Sequence, residues 1–424
     1  MQAIVLAAGK GTRMRSEHPK VLHEVFGRPV LYYVLRALSQ LGIRETKVVV
    51  GYQADEVCSF LKKCESGLKM RLEAVLQKEQ LGTGHAVIMT ESRLRGFRGN
   101  ILIWPGDMPL LKKETLEDFC RQHDLSAADA SVLSALRVDP KGYGRILRAG
   151  GKFYAIREEL DTSPVERRIQ EINTGVYLFN ANKLFESLCR VQPDNQKKEF
   201  YLTDSIEILS KQNARLEAFP LASEEEGQGI NSQEDLARVT KLMNQREMKY
   251  HLERGVTFVA PEQTFVAPDV HIGQDTVIYP WCYIESGVKI GRRCRIGPFA
   301  KIRKGSIIGD QSVIGSFVEV TRSKIGRKVL AKHLAYLGDA VIGDETNVGA
   351  GAITANFDGK NKHVTRIGKK VFVGSNTVFV APVTVGDQAR TGAGTVVTRG
   401  TRIKKGEVVV GIPARPLRPK RKKG

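Results

Sequence analysis

From Val266 onward the chain repeats with a six-residue beat. Val266, Ile272, Ile278, Ile284, Ile290, Ile296, Ile302, Ile308, Ile314 and Val320 are all aliphatic, and Gly follows at 273, 291, 297, 309 and 315. One inward aliphatic residue per six-residue side is the pattern of a left-handed parallel β-helix, and Gly permits the backbone turn at a corner. The beat slips over 321–330, returns at Ile342 and Val348, breaks over 354–366, and returns at Ile367, Val373, Val385, Val397, Ile403 and Val409. Breaks in a solenoid are extruded loops, and loops held by a rigid scaffold commonly carry function.

The first 230 residues have another texture. Gln2–Ala7, Lys47–Val50, Ile101–Trp104 and Ser131–Ala135 are short apolar runs suited to buried parallel strands. Between them, Leu31, Val34, Leu35, Leu38 and Leu41 fall at helical spacing within 30–41. Strands alternating with helices predict a doubly wound, Rossmann-like α/β sheet. Ser232–Glu253 is polar and free of Gly and Pro, which predicts a connecting helix. The expected organisation is therefore α/β over 1–230, a connecting helix over 231–253, an all-β solenoid over 254–414, and a disordered basic tail over 415–424.

Composition narrows the classes. Hydrophobic residues are 42% and charged residues 26%, so the chain as a whole is not disordered. The six cysteines form no CxxC pair and match no zinc-site spacing, which fits a reducing cytoplasm rather than a disulfide scaffold. No apolar stretch reaches the length of a membrane span, and no signal peptide is evident. Lys+Arg 66 against Asp+Glu 46 gives +20, a field that attracts anions without choosing among nucleotides, sugar phosphates, nucleic acid and acidic lipid. No zinc-finger, helix-turn-helix or RRM-type pattern supports specific nucleic-acid binding.

The segment Leu6-Ala7-Ala8-Gly9-Lys10-Gly11-Thr12-Arg13-Met14, followed by Pro19-Lys20, carries the first chemistry. A strand runs into a Gly loop whose amides can hold phosphate, and Arg13 and Lys20 add positive charge. It is neither GxxxxGK[ST] nor GxGxxG. It resembles the signature of sugar-1-phosphate nucleotidylyltransferases. Leu76-Gln77-Lys78-Glu79-Gln80-Leu81-Gly82-Thr83-Gly84-His85-Ala86 resembles a uracil-reading segment, and an amide such as Gln77 can donate to and accept from a base edge. Pro105-Gly106-Asp107 follows a strand, where a carboxylate would meet a metal at the sheet's C-terminal edge. The segments around Gly142, Glu158 and Asn173 resemble sugar-binding ones, and Asn231 matches a second metal ligand.

The likeness continues through the solenoid. The whole chain is similar to the bifunctional uridylyltransferase–acetyltransferase family of UDP-N-acetylglucosamine synthesis. That resemblance implies UTP and UDP-sugar contacts at Leu6, Ala7, Ala8, Gly9, Lys20, Gln77, Gly82, Thr83, Gly142, Glu158, Asn173 and Asn231. It implies Mg²⁺ held by Asp107 and Asn231, with Arg13 and Lys20 stabilising the reacting phosphate. In the second half it implies His333 as general base, Arg303, Tyr336, Asn347 and Lys362 as substrate contacts, and Ala350, Asn356, Phe357, Ser375 and Ala393 on acetyl-CoA. Ile412-Pro413-Ala414-Arg415 resembles the closing segment of hexapeptide acyltransferases. A homotrimer acting on sugar phosphates and nucleotide is the implied assembly.

Two positions depart from the family. Leu160 stands where it has a Lys, and Thr321 stands where a Lys meets the substrate phosphate. Arg322 is adjacent to Thr321, but neighbours on a β-helix side face opposite ways. Arg322 compensates only if the backbone is irregular there. Two other readings remain at this point: a uridylyltransferase whose β-helix serves another amino sugar or only scaffolding, and a non-catalytic binding subunit of the same two-part build.

Overall fold

The computed structural model describes residues 1–416. The chain divides into two compact units, Met1–Thr240 and the residues from Lys241 onward, and the division falls inside the helix Gln233–Leu252.

In the first unit, nine strands form one sheet. Gln2–Ala7 lies between Glu45–Val50 and Asn100–Pro105, parallel to both. These strands read as apolar runs because helices cover both faces. Val5 packs on one side with Leu31, Leu35 and Leu38, and Ile4 on the other with Ile103, Phe179 and Leu184. The sheet is not wholly parallel, however. Glu171–Asn180 runs antiparallel between Asn100–Pro105 and Ala130–Leu136. As a result the N-terminal end of Glu171–Asn180 shares a sheet edge with the C-terminal ends of the parallel strands. Gly9, Gln77, Asp107 and Asn173 all lie along that edge.

Ser232 and Asp235 close the entry to the helix Gln233–Leu252. The Asp235 carboxylate accepts from the Asn231 and Ser232 amides, each at 3.0 Å, and the Ser232 hydroxyl accepts from the Asp235 amide at 3.1 Å. This reciprocal cap satisfies amides that a helix start leaves unpaired, and it holds Asn231 in place.

The second unit is a parallel β-helix of three faces, with nine, eight and eight parallel strands among the described residues, in which successive strands of a face are three apart in the chain. Ile284, Ile302 and Val320 stack inward on one face, and all three are fully buried. The slip in the beat has a simple geometry. After Val320 the next inward residue is Ile325, and after Leu337 it is Ile342, each one position early. Both short sides leave the same face. The break over 354–366 lies one coil further on and also leaves that face. It lengthens the coil from Asn347 to Phe372, and its tip closes through a bridge between Phe357 and Lys362.

Arg415–Pro416 pair antiparallel with Val409–Val410, so the first two residues of the expected tail are strand. Pairing to the last coil orders backbone that composition alone assigns to a disordered segment. The rest of the expected tail, 417–424, lies outside the described residues.

Ile302 is enclosed on all sides, so Ile302→Ala leaves a cavity in the prism. We expect a loss of about 2–5 kcal/mol, measured as a lower denaturant midpoint for the β-helix transition.

Candidate active sites

In the first unit, four of the expected residues converge. The Lys20 ammonium bonds the Asp107 carboxylate and, at 3.1 Å, the Asn231 amide oxygen. Arg13 donates to that same Asn231 oxygen at 3.0 Å. The approach of Lys20 depends on Gly11, where a Cβ would lie 2.8 Å from the Lys20 Cβ and where φ is +61°. Asp107 is placed by its own backbone, since its carbonyl accepts from Ile230 and the preceding Gly106 amide donates to Leu6. Two oxygen donors from distant parts of the chain thus meet one cation. A hard divalent ion takes the same donors, with phosphate and water oxygens completing its shell, so these residues fit one. Among the described residues no cluster of three or more His, Cys, Asp or Glu could hold a metal.

The other residues expected to meet nucleotide follow the same edge. The Ala8 carbonyl accepts from Gln80 at 2.8 Å, tying the loop Ala8–Gly11 to the segment after Leu76. Leu6 and Ala7 end their strand there. Gly9 is exposed, with open space where a side chain would stand. Gln77 is buried, and its Nε2 donates toward the Gly82 carbonyl and His85 Nδ1, each at 3.1 Å. Its donors are therefore spent inside the protein, and its side-chain carbonyl is the group left for a base. Asn231, Arg13 and Gly142 line one polar cavity of about 380 Å³ with Tyr143, whose ring carries the Arg137 guanidinium at 4.8 Å.

The segment Phe200–Asp204 joins the base loop to the expected sugar contacts. Phe200 exchanges backbone hydrogen bonds with Leu81 and Gly84, each at 2.8 Å, and Thr83 accepts from the Leu202 amide at 3.1 Å. Thr203 donates to Glu158 at 3.1 Å. Burial pushes the Glu158 carboxyl above the usual range, against the pull of that hydrogen bond. Burial and the Glu158 charge together push Asp204 up to about 6. Asn173 donates to the Tyr177 hydroxyl at 2.7 Å and accepts from the Gly175 amide at 2.9 Å.

Gly82 is the tightest point. Its φ is +108°, and a Cβ there would lie 2.6 Å from the Phe200 carbonyl oxygen. Gly82→Ala forces the base loop away from Phe200 at a strain of about 1–3 kcal/mol. We expect pyrophosphate release from UTP to fall roughly tenfold while acetyl transfer is unchanged, read by parallel assays on one preparation.

In the β-helix, register sorts the expected residues into columns. The pairing Leu330↔Asn347↔Phe372↔Arg390 places His333, Ala350, Ser375 and Ala393 at one corner in four successive coils. The backbone bonds from Asn376 to Ala350 and from Gly394 to Ser375 hold that column. The residues below His333 in this column have small side chains, and exposed His333 stands at one end. Tyr336 and Arg303 leave the next face. Tyr336 is in register with Glu319, and Arg303 bonds both Glu319 at 3.1 Å and Glu285 at 3.3 Å. Asn347 leaves the same face as His333, not that of Tyr336. Phe357 is exposed on the extruded loop. Asn356 is buried and donates to Asp339, whose carboxyl is held below the usual range chiefly by Arg322, with Asn356 and Lys362 contributing. Asp339 was not among the expected residues, and Arg322 was expected to contribute only if the backbone was irregular. Both lie on the short sides of the helix, and a search that admitted five-residue sides would have found them.

The chain thus has a Gly loop at the strand ends of an α/β sheet in one unit and a β-helix of six-residue sides in the other, the build of a nucleotidyltransferase joined to an acyltransferase. The MobA-like NTP transferase domain matches residues 3–201. The bacterial transferase hexapeptide matches 269–304 and 365–399, and the hexapeptide repeat of succinyl-transferase matches 287–322. The Bifunctional protein GlmU of Syntrophotalea carbinolica is 41% identical, covering 94% of this chain and 92% of its own. That of Halalkalibacterium halodurans is also 41% identical, covering 93% of each chain. The chain belongs to the GlmU family. No helix among the described residues is long and apolar enough to cross a membrane.

Proposed function

We propose that the chain makes UDP-N-acetylglucosamine in two steps. Acetyl transfer from acetyl-CoA to glucosamine 1-phosphate occurs on the β-helix, within 254–414. Uridylyl transfer from UTP to N-acetylglucosamine 1-phosphate occurs on the α/β domain, within 1–230. The helix between them is the connection. The observation that carries the reading is the convergence of Arg13, Lys20, Asp107 and Asn231 beside a Gly loop at the strand ends.

In the uridylyl step, the loop amides after Ala7 hold the triphosphate, and the Gln77 carbonyl accepts from the uracil N3–H. Glu158 and Asn173 bind the sugar. The sugar phosphate oxygen attacks the α-phosphorus in line, and the bond to the bridging oxygen breaks to release pyrophosphate. No covalent nucleophile is required, so positioning and charge neutralisation by Arg13 and Lys20 carry the step. Mg²⁺, held by Asp107 and Asn231, would supply further neutralisation of the triphosphate.

In the acetyl step, His333 takes the proton from the sugar amine as it attacks the thioester, and coenzyme A leaves as the thiol. The pantetheine arm lies along the small side chains of Ala350, Ser375 and Ala393, beside Asn356 and Phe357. Arg303, Tyr336, Asn347 and Lys362 bind the sugar phosphate. One prism presents Asn347 and Tyr336 on two faces, which favours a site between neighbouring copies in a homotrimer. A cytoplasmic enzyme on small-molecule substrates, with no specific nucleic acid, fits the reducing chemistry of its cysteines.

The test is paired. Pyrophosphate release with UTP, Mg²⁺ and N-acetylglucosamine 1-phosphate, together with thiol release from acetyl-CoA on adding glucosamine 1-phosphate, establishes both steps. Pyrophosphate release without thiol release would leave a uridylyltransferase whose β-helix serves another acceptor or only scaffolding.

A further inference from the structure

The short sides of the β-helix build a polar cluster that brings Arg322 to Tyr336. In the regular coil before it, Gly305 makes the corner at φ +81°. In the short coil Arg322 itself adopts φ +49°, which turns its side chain outward over Gly305; a Cβ on Gly305 would lie 3.5 Å from the Arg322 Cγ. The corner follows the inward Val320 by two residues, where Gly305 follows the inward Ile302 by three, and this missing residue makes the backbone irregular here. Asp339 occupies the equivalent corner one coil on, at φ +46°, and accepts side-on from the guanidinium Nε and Nη2 at 2.7 and 2.8 Å. Thr321 is buried, and its hydroxyl accepts from the same guanidinium at 3.2 Å. The Tyr336 ring folds over Gly338, where any Cβ would strike it, and its hydroxyl reaches Arg322.

A guanidinium has five N–H donors. Asp339 takes two, Thr321 one, and the Tyr336 hydroxyl meets the same group, so one donor of a side chain 38% exposed remains for a second anion. The charge balance favours this group over its neighbour. Arg303 is clasped by two carboxylates, Glu285 and Glu319, with which an incoming anion must compete. Arg322 faces one carboxylate, and that carboxylate is shared with the Asn356 amide and the Lys362 charge.

We propose that Arg322 binds the phosphate of the acceptor sugar, with Asp339 as the residue that positions it. This rests on the acetyl-transfer reading. Thr321 is neutral and enclosed, and supports the guanidinium rather than the substrate. The arrangement adds to the other substrate contacts a charged side chain delivered by a shortened corner.

The test uses the full chain and two acceptors, glucosamine 1-phosphate and free glucosamine, each followed by thiol release. The unmodified protein is expected to prefer the phosphorylated acceptor. In Arg322→Gln, kcat/KM for glucosamine 1-phosphate should fall by about tenfold or more, the scale of one charge-assisted contact. The change should appear in KM, with glucosamine turnover and the KM for acetyl-CoA unchanged. Arg322→Lys should recover part of the loss. Asp339→Asn should also raise the KM for glucosamine 1-phosphate selectively. Equal losses with both acceptors in Arg322→Gln would show a structural role and overturn the proposal, as would an unchanged preference. No thiol release with either acceptor in the unmodified protein would instead refute the acetyl-transfer reading on which the proposal stands.

Discussion

Asp107→Ala is expected to abolish pyrophosphate release, with a loss on the order of 10³-fold, while leaving the fold and acetyl transfer intact. Among the described residues the carboxylate is the one full negative charge that meets Lys20, and the side chains of this pair are only 14% and 16% exposed. Removing it leaves the Lys20 ammonium against the neutral Asn231 oxygen alone. In the proposed uridylyl step, the pair that would hold the cation is halved and Lys20 loses its position against the triphosphate. Positioned charge in a water-poor site commonly accounts for the largest share of such a barrier. The fold does not depend on the side chain, because the bond from Ile230 is to the Asp107 backbone carbonyl. Pyrophosphate assays and circular dichroism on the same preparation check both halves of the expectation. Near-normal turnover with added Mg²⁺ would remove Asp107 from the metal site.

The β-helix was legible because one aliphatic side chain per side must fill the prism whatever surrounds it, as Ile284, Ile302 and Val320 do. The central strands of the α/β sheet were legible for the same reason, since Ile4, Val5 and Ile103 are buried on both faces. Edge strands carry no such signal. Arg71–Leu76 buries only Val75, and Leu216–Pro220 only Ala218, so neither shows an apolar run. Strand direction was equally hidden: Val176, Tyr177, Leu178 and Phe179 are as apolar as their parallel neighbours, and pairing alone decides which way they run. At the sites, residue types could be read but not their hydrogen-bond commitments. That Gln77 turns its donors inward, and that Arg322 rather than Thr321 reaches outward, depends on backbone turns set by packing.

His333→Ala should remove thiol release and spare pyrophosphate release, the converse of the Asp107 variant. His333 ends the strand Leu330–His333, and its side chain is exposed, while Ala331 of the same strand fills the prism. Truncation at His333 therefore leaves the core and the backbone ladder to Ser316 unchanged. What is lost is an imidazole at the head of the column formed with Ala350, Ser375 and Ala393. An amine attacks a thioester only as it sheds a proton, and a positioned base for that proton commonly contributes 10²–10⁴-fold. A fall of that size in kcat with little change in the KM for either substrate would mark His333 as the base. A rise in KM alone would make it a binding residue. Undiminished thiol release would place the base elsewhere and break the link between the solenoid column and the chemistry.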